Sequence, residues 1–199
     1  MIDLINLPPQ LEGTESVVVG LDEAGRGCLA GPVVVAAVIL PPNFYSKIVK
    51  DSKKLSEKKR IEAFDEIKKT ALYWSISYID PKEIDELNIL QATMKGMHNC
   101  LDELNGKYNH ILVDGNYFNK YQDIPHTCVI QGDNTYFSIA AASILAKVSR
   151  DEYMKKLHLE HPEYGWCSNK GYGSKPHMDK IKEIGYTEHH RKSFLKNII

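Results

Sequence analysis

Residues 16–40 read SVVVGLDEAGRGCLAGPVVVAAVIL, two apolar runs on either side of a short glycine-bearing polar stretch. The first run, 16–21 (SVVVGL), and the second, 31–40 (GPVVVAAVIL), are rich in β-branched residues and carry no charge. Runs of this kind suit strands buried on both faces. The residues between them place two carboxylates, Asp22 and Glu23, where the first strand ends, and Ala24-Gly25 supplies a break.

Working outward, 71–79 (ALYWSISYI) predicts a third strand, and 110–113 (HILV) and 127–130 (TCVI) predict two short ones. Residues 56–70, 81–104 and 135–157 have helical spacing, the last with small residues Ala140, Ala141 and Ala142 that allow close packing. From His158 onward the chain is polar, aromatic and basic, and loops with at least one helix are expected. Three strands followed by strand–helix alternation predict an α/β layer fold around a mixed sheet. There is no repeat, low-complexity run or linker, so 199 residues are expected to make one domain.

The four cysteines (Cys28, Cys100, Cys128, Cys167) are far apart and form no CxxC pair, which argues against a zinc ribbon or a disulfide framework. The first ten residues, MIDLINLPPQ, lack the regions of a signal peptide. The longest apolar run, 33–40, is well short of the roughly 20 residues of a membrane helix. A soluble cytoplasmic protein is therefore expected. Net charge is −1, but its distribution is uneven. Residues 141–199 hold 11 Lys/Arg against 7 Asp/Glu, and residues 47–69 hold 9 against 5. Two basic stretches on an otherwise acidic chain could form a footprint for a polyanion, although solvated helix faces would look the same.

Four acidic residues stand at strand ends: Asp22 and Glu23 after SVVVGL, Asp114 after HILV, and Asp133 after TCVIQG. Gathered together they would make a hard-oxygen site suited to Mg²⁺ or Mn²⁺. Two such ions about 3.5–4 Å apart can clamp the attacking and leaving oxygens of a phosphodiester. Each residue also has a plainer reading. Adjacent strand residues point to opposite faces, so Asp22 and Glu23 share a site only at a strand break. Asp114-Gly115 is a common turn pair, and Asp133 or Asn134 could simply cap the helix beginning near Thr135. Asp151 competes with Asp133 for the fourth place.

Several ordered blocks decide among these readings. DEAGRG at 22–27 continues as CLAGPVVVAAVIL. DSKKLSEKKR follows at 51–60, ILVDGN at 111–116 and GDNTYFSIAAASILAKVSRD at 132–151. HPEYGWCSNKGYGSKPH at 161–177 and HRKSF at 190–194 complete the series. In sequence and order they resemble the ribonuclease HII family, in its bacterial form, across nearly the whole chain. The resemblance implies a ribonuclease H-like fold, with a central mixed five-stranded sheet flanked by helices. It implies one catalytic domain over 1–199 with a helical substrate-binding region at about 155–199. The implied activity is endonucleolytic hydrolysis of the RNA strand of RNA–DNA hybrids, and cutting 5′ of single ribonucleotides in duplex DNA. Two Mg²⁺ or Mn²⁺ ions would be held by Asp22, Glu23, Asp114 and Asp133, the family pattern selecting Asp133 over Asp151. Gly25, Arg26 and Gly27 would read the sugar, because glycine lets backbone approach it closely and hydrogen-bond a 2′-hydroxyl. Tyr172 would stack on the next deoxyribose, and Ser52, Lys53 and Lys54 would contact phosphates. The implied partner is nucleic acid, with no membrane, and the protein is expected to be a monomer. The rivals are a DNA-only nuclease of the same fold and a non-catalytic nucleic-acid-binding module. His158, His161, His177, His189 and His190, irregularly spaced, are expected to be surface or structural residues.

Overall fold

The computed structural model describes residues 4–6, 15–50, 52–196 and 198. Asp51, which opens the DSKKL block, and most of the stretch 1–10 lie outside the described residues. Five strands, β1 (Val18–Ala24), β2 (Val33–Ile39), β3 (Tyr73–Ile79), β4 (His110–Asp114) and β5 (His126–Val129), form one sheet in the order β3-β2-β1-β4-β5. The β1–β2 and β2–β3 pairs are antiparallel, whereas β1–β4 and β4–β5 are parallel. The mixed sheet and flanking helices are those of the ribonuclease H-like fold.

Alternation along the strands explains why both faces are apolar. Ala36 and Val38 of β2 pack with α1 (Glu57–Thr70) and α4 (Phe137–Glu160), while Val35, Ala37 and Ile39 pack with α3 (Ile89–Glu103). In β1, Val19 and Leu21 face α3, whereas Val18 packs with Ile139 of α4. Gly20 shares the α4 face, and a Cβ there would lie 2.4 Å from the Ser138 carbonyl carbon. That approach presses the helix backbone onto β1.

Most elements begin or end within two residues of the expected positions. The exception is 81–104, which is two helices, α2 (Pro81–Leu87) and α3, broken at Asn88 with φ 69°. Asn88 Oδ1 accepts the N–H groups of Leu90 and Gln91, so one polar residue both ends a helix and caps the next. The tail carries α5 (Trp166–Asn169) and α6 (Lys175–Ile184) between short 3₁₀ turns at Pro162–Tyr164 and Lys192–Phe194. It packs its own core, with Trp166, Tyr164, Ile181 and Leu195 around Leu29 and Met154. No helix among the described residues is long and apolar enough to cross a membrane.

Candidate active site

The parallel pair β1–β4 sets the site. Leu21 pairs with Val113, so Asp22 and Asp114 follow side by side at the C-terminal ends of neighbouring strands. Pockets of open α/β sheets lie at such ends. Leu112 faces α4, so alternation puts Asp114 on the α4 face as well, with Asp22 two residues beyond Gly20. There a hydrogen bond from Ser143 of α4 reaches Asp22. Glu23 starts from the opposite face, but the strand ends one residue later and Gly25 turns away with φ 92°. The break comes at Gly25, two residues after Glu23, with Ala24 still paired to Val34, and Glu23 feels the charge of Asp114.

Electrostatics mark these groups as crowded. Asp22, only 5% exposed, is held well above the usual carboxylate range by burial first, then by the charges of Glu23 and Asp114. Hydrogen bonds from Ser143 and from the Glu23 N–H oppose the shift. Burial also raises Glu23, against the pull of Arg26, whose Nη1 lies 3.3 Å from Oε1, and of Lys53. Asp114 Oδ1 accepts the Gly132 N–H at 2.7 Å, which draws the 3₁₀ turn Gly132–Asn134 to the end of β4. Asp133 in that turn is buried, and Lys53 Nζ is 3.9 Å from its Oδ2.

The helix after the turn starts at Phe137 with Tyr136 as N-cap, so neither Asp133 nor Asn134 caps it. Asp151, nearly four turns along α4, lies 2.7 Å from Lys147 and 4.0 Å from Arg60, paired with cations away from the cluster. Of the two competing acids, Asp133 is the one beside Asp114 and Lys53.

The DSKKL segment closes over the same place. Ser52 Oγ and Ser143 Oγ are 3.0 Å apart and buried, which ties the 3₁₀ turn Ser52–Lys54 to α4. Arg60 braces the turn through the carbonyls of Ser52 (2.9 Å) and Leu55 (2.8 Å). Lys54 contacts Asn134 Oδ1. Gly25, Arg26 and Gly27 leave β1 beside the carboxylates, with Arg26 half-exposed on Glu23. Tyr172 follows Gly171, whose carbonyl accepts the Leu29 N–H; it is 47% exposed, with the Arg150 guanidinium 6.0 Å from its ring centroid.

Two residues that sequence reasoning assigned no role hold these loops together. Arg150, 1% exposed, donates to the carbonyls of Ala30 (3.0 Å), Pro32 (2.9 Å) and Lys170 (2.9 Å). Arg191 donates to the carbonyls of Gly31 and Arg26, at 2.9 Å for both Nη2 and Nη1, and burial lowers its pKa to about 10. Both guanidiniums use a rigid donor fork to join the loop after Gly25 to the tail. Residues 137–146 are apolar or small on every side, which marks a buried helix, but partly exposed Lys147 follows them before Arg150, so the pattern alone does not single out the buried arginine.

The family model for ribonuclease HII matches residues 19–197. A ribonuclease HII of Bacteroides thetaiotaomicron is 55% identical over 175 residues, covering 88% of each chain. One from Parabacteroides distasonis is 50% identical over 188 residues, covering 94% of each. Among solved structures, the ribonuclease H2 of Pyrococcus horikoshii OT3 matches with a TM-score of 0.77 and 27% identity. That match covers 91% of this chain and 96% of the other. The chain belongs to the ribonuclease HII family.

Proposed function

We propose that this protein is an endonuclease that hydrolyses the RNA strand of RNA–DNA hybrids and cuts on the 5′ side of a single ribonucleotide in duplex DNA. The observation that carries the reading is continuity. Gly25–Gly27, suited to a sugar, leave the strand that carries Asp22 and Glu23 near its end, and Tyr172 is joined to them through Arg150. Recognition and hydrolysis therefore share one rigid edge.

Asp22, Glu23, Asp114 and Asp133 would hold two Mg²⁺ or Mn²⁺ ions. The donor set fits: all are hard oxygens, and the burial that chiefly raises Asp22, together with repulsion from Glu23 and Asp114, is what a bound divalent cation offsets. Such ions supply Lewis acidity to the attacking water and the leaving oxygen. Water adds to the phosphorus, the bond to the preceding 3′ oxygen breaks, and the ends are a 3′-hydroxyl and a 5′-phosphate. The protein's own part is placement. Ser143 and the Glu23 N–H fix Asp22, and the Gly132 N–H fixes Asp114. Ser52, Lys53 and Lys54 would bind phosphates, and Arg26 could fork a phosphate once it leaves Glu23. Gly27 has open space where a Cβ would stand, room for a sugar against the backbone. Tyr172 would stack on the sugar that follows the ribonucleotide. Residues from about 155 onward act as the substrate-binding part of a single catalytic domain, in a monomer working in the cytoplasm.

The test is cleavage of a DNA duplex holding one ribonucleotide, a long RNA–DNA hybrid and an all-DNA duplex, with Mg²⁺, Mn²⁺ or EDTA. The first two should be cut with metal and the third not at all. Contacts of stacking type are worth roughly 1–3 kcal/mol. Tyr172→Ala should then lose roughly 5- to 150-fold on the single ribonucleotide and less on the long hybrid. Equal losses on both would remove the junction-reading role. A cut 3′ of the lone ribonucleotide, or cleavage of all-DNA duplex, would sink the proposed specificity.

A further inference from the structure

We propose that Glu160, His161 and His189 form a second metal site, of zinc type, which fastens the end of α4 to the C-terminal tail. Their ligating atoms all lie within 4.8 Å of one another. Glu160 is the last residue of α4 and His161 its C-cap, whereas His189 comes from the tail, 28 positions on. That separation, with no regular spacing, is why the sequence assigned these histidines no metal role. The fold closes the gap.

The donors are also held in place. The His161 and His189 rings are 5.4 Å apart, and both stand edge-on against the buried indole of Trp166, at 5.7 and 6.2 Å. His189 is tied on both sides of its Cα: its N–H donates to Thr187 Oγ1 at 3.2 Å, and its carbonyl accepts the Gly31 N–H at 2.8 Å. Glu163 Oε1 lies 3.4 Å from His161 Nδ1, the carboxylate–imidazole pairing that orients metal-bound histidines and leaves Nε2 for the ion. Two imidazoles and one carboxylate match the donor preference of Zn²⁺ in a tetrahedral site, with water completing it. This set is softer than the all-carboxylate cluster at the ends of β1 and β4, so the two places select different ions.

The consequence is mechanical. His190 and His177 continue the chain of contacts from His189 to the carbonyl of Tyr172. An ion bridging α4 to His189 would hold the segment that carries Tyr172, and its carbonyl link to Gly31 reaches the loop after Gly25. It binds the folded state alone, so it stabilises in proportion to the logarithm of its concentration.

Binding is counted on the full-length protein in millimolar Mg²⁺, dialysed against micromolar Zn²⁺, with bound zinc measured by atomic emission. The wild type should retain one more Zn²⁺ per chain than His189→Ala. Zinc in the carboxylate site is common to both and cancels in the difference. The thermal midpoint of the wild type should rise with added Zn²⁺ while that of His189→Ala stays level. Glu160→Gln, at an exposed helix end, keeps the fold and should also lose the extra ion. Glu163→Gln should weaken it by about 10- to 100-fold. Equal zinc counts in the wild type and Glu160→Gln, or a wild-type midpoint indifferent to Zn²⁺, overturn the proposal. None of these readings needs substrate, so they stand apart from any result on cleavage.

Discussion

An alanine at position 25 would place its Cβ 1.9 Å from Arg150 Nε, on a backbone with φ 92°. The guanidinium cannot retreat without releasing the carbonyls of Ala30, Pro32 and Lys170. Gly25→Ala should therefore cost about 1–3 kcal/mol, visible as a lower urea midpoint, and impair cleavage together with stability. Gly27 is the contrast, since nothing lies within 4 Å of a Cβ there. Gly27→Ala should leave stability within about 0.5 kcal/mol and yet reduce cleavage, because only a bound sugar needs the space. Equal stability losses in the two variants would reject this division of labour. The acids divide similarly. Asp133→Asn keeps the size but removes a charge from the cluster beside Lys53, and should abolish cleavage by orders of magnitude with the fold retained. Asp151→Asn, which loosens only Lys147 and Arg60, should stay active. The reverse pattern would reassign the fourth acid.

At the scale of elements, the tail holds Tyr172 through two buried imidazoles whose protons the geometry dictates. The Tyr172 carbonyl can only accept, so His177 Nδ1 donates to it at 2.8 Å. Nε2 of His177 then accepts from Trp166 Nε1 and His190 Nε2, each at 3.1 Å, while His190 Nδ1 accepts the Thr187 N–H. Both rings are neutral in this arrangement. Burial lowers both pKa values, that of His190 to about 3 from an unfolded value of 6.5. The unfolded chain therefore binds more protons below pH 6.5, and stability present above that value is lost as pH falls toward 3. For His190 the slope approaches about 1.4 kcal/mol per pH unit. Asp22 and Glu23, raised above their usual range, act in the opposite direction, so the informative quantity is a difference between proteins. In EDTA, His190→Asn should show a flatter loss of stability from pH 6.5 to 5 than the wild type. Parallel profiles would rule out the imidazole pair as the source. These contacts were not legible in the sequence, because His177 and His190 meet only once α6 and the tail fold back on Trp166. The sheet was legible, since β-branched runs such as 33–40 have few other uses. The split at Asn88 was not, because an asparagine with φ 69° looks like any polar residue on a helix face. The four acids could be read one by one as turns or caps, and their ordered motifs made them a set. Arg150 and Arg191 were missed because an arginine on the charged stretch of a helix, or in a basic tail, reads as solvated until its carbonyl partners, far away in the chain, are in place.

Across the whole molecule, the basic stretches at 47–69 and 141–199 meet at the acidic edge. The turn Ser52–Lys54 is pinned to α4 through Ser143, and α1 meets α4 near its far end, where Lys155 pairs with Glu57 at 2.6 Å. The net charge of −1 thus hides a polarised surface, with lysines bordering a buried carboxylate cluster. A duplex binding across this border would place its phosphates on the lysines and one scissile phosphate over the acids. Lys53 and Lys54 then have separable roles. Lys54 contacts the neutral side chain of Asn134, and Lys54→Ala should weaken every duplex alike. Removing one phosphate-binding charge reduces the salt dependence of affinity, log K against log [salt], by about one unit. Lys53 also lies 3.9 Å from Asp133 and lowers the pKa of Glu23. Lys53→Ala should flatten the salt slope similarly, but it also removes a positive charge that competes with divalent ions for the acids. Its half-saturating Mg²⁺ concentration should consequently fall below that of the wild type, while that of Lys54→Ala stays unchanged. Binding titrations at several salt concentrations, with Mg²⁺ titrations of cleavage at fixed salt, separate the two effects. A salt slope unchanged in both variants would exclude these lysines from the phosphate path, and a Mg²⁺ requirement that rises in Lys53→Ala would show that Lys53 assists the metal site instead of opposing it.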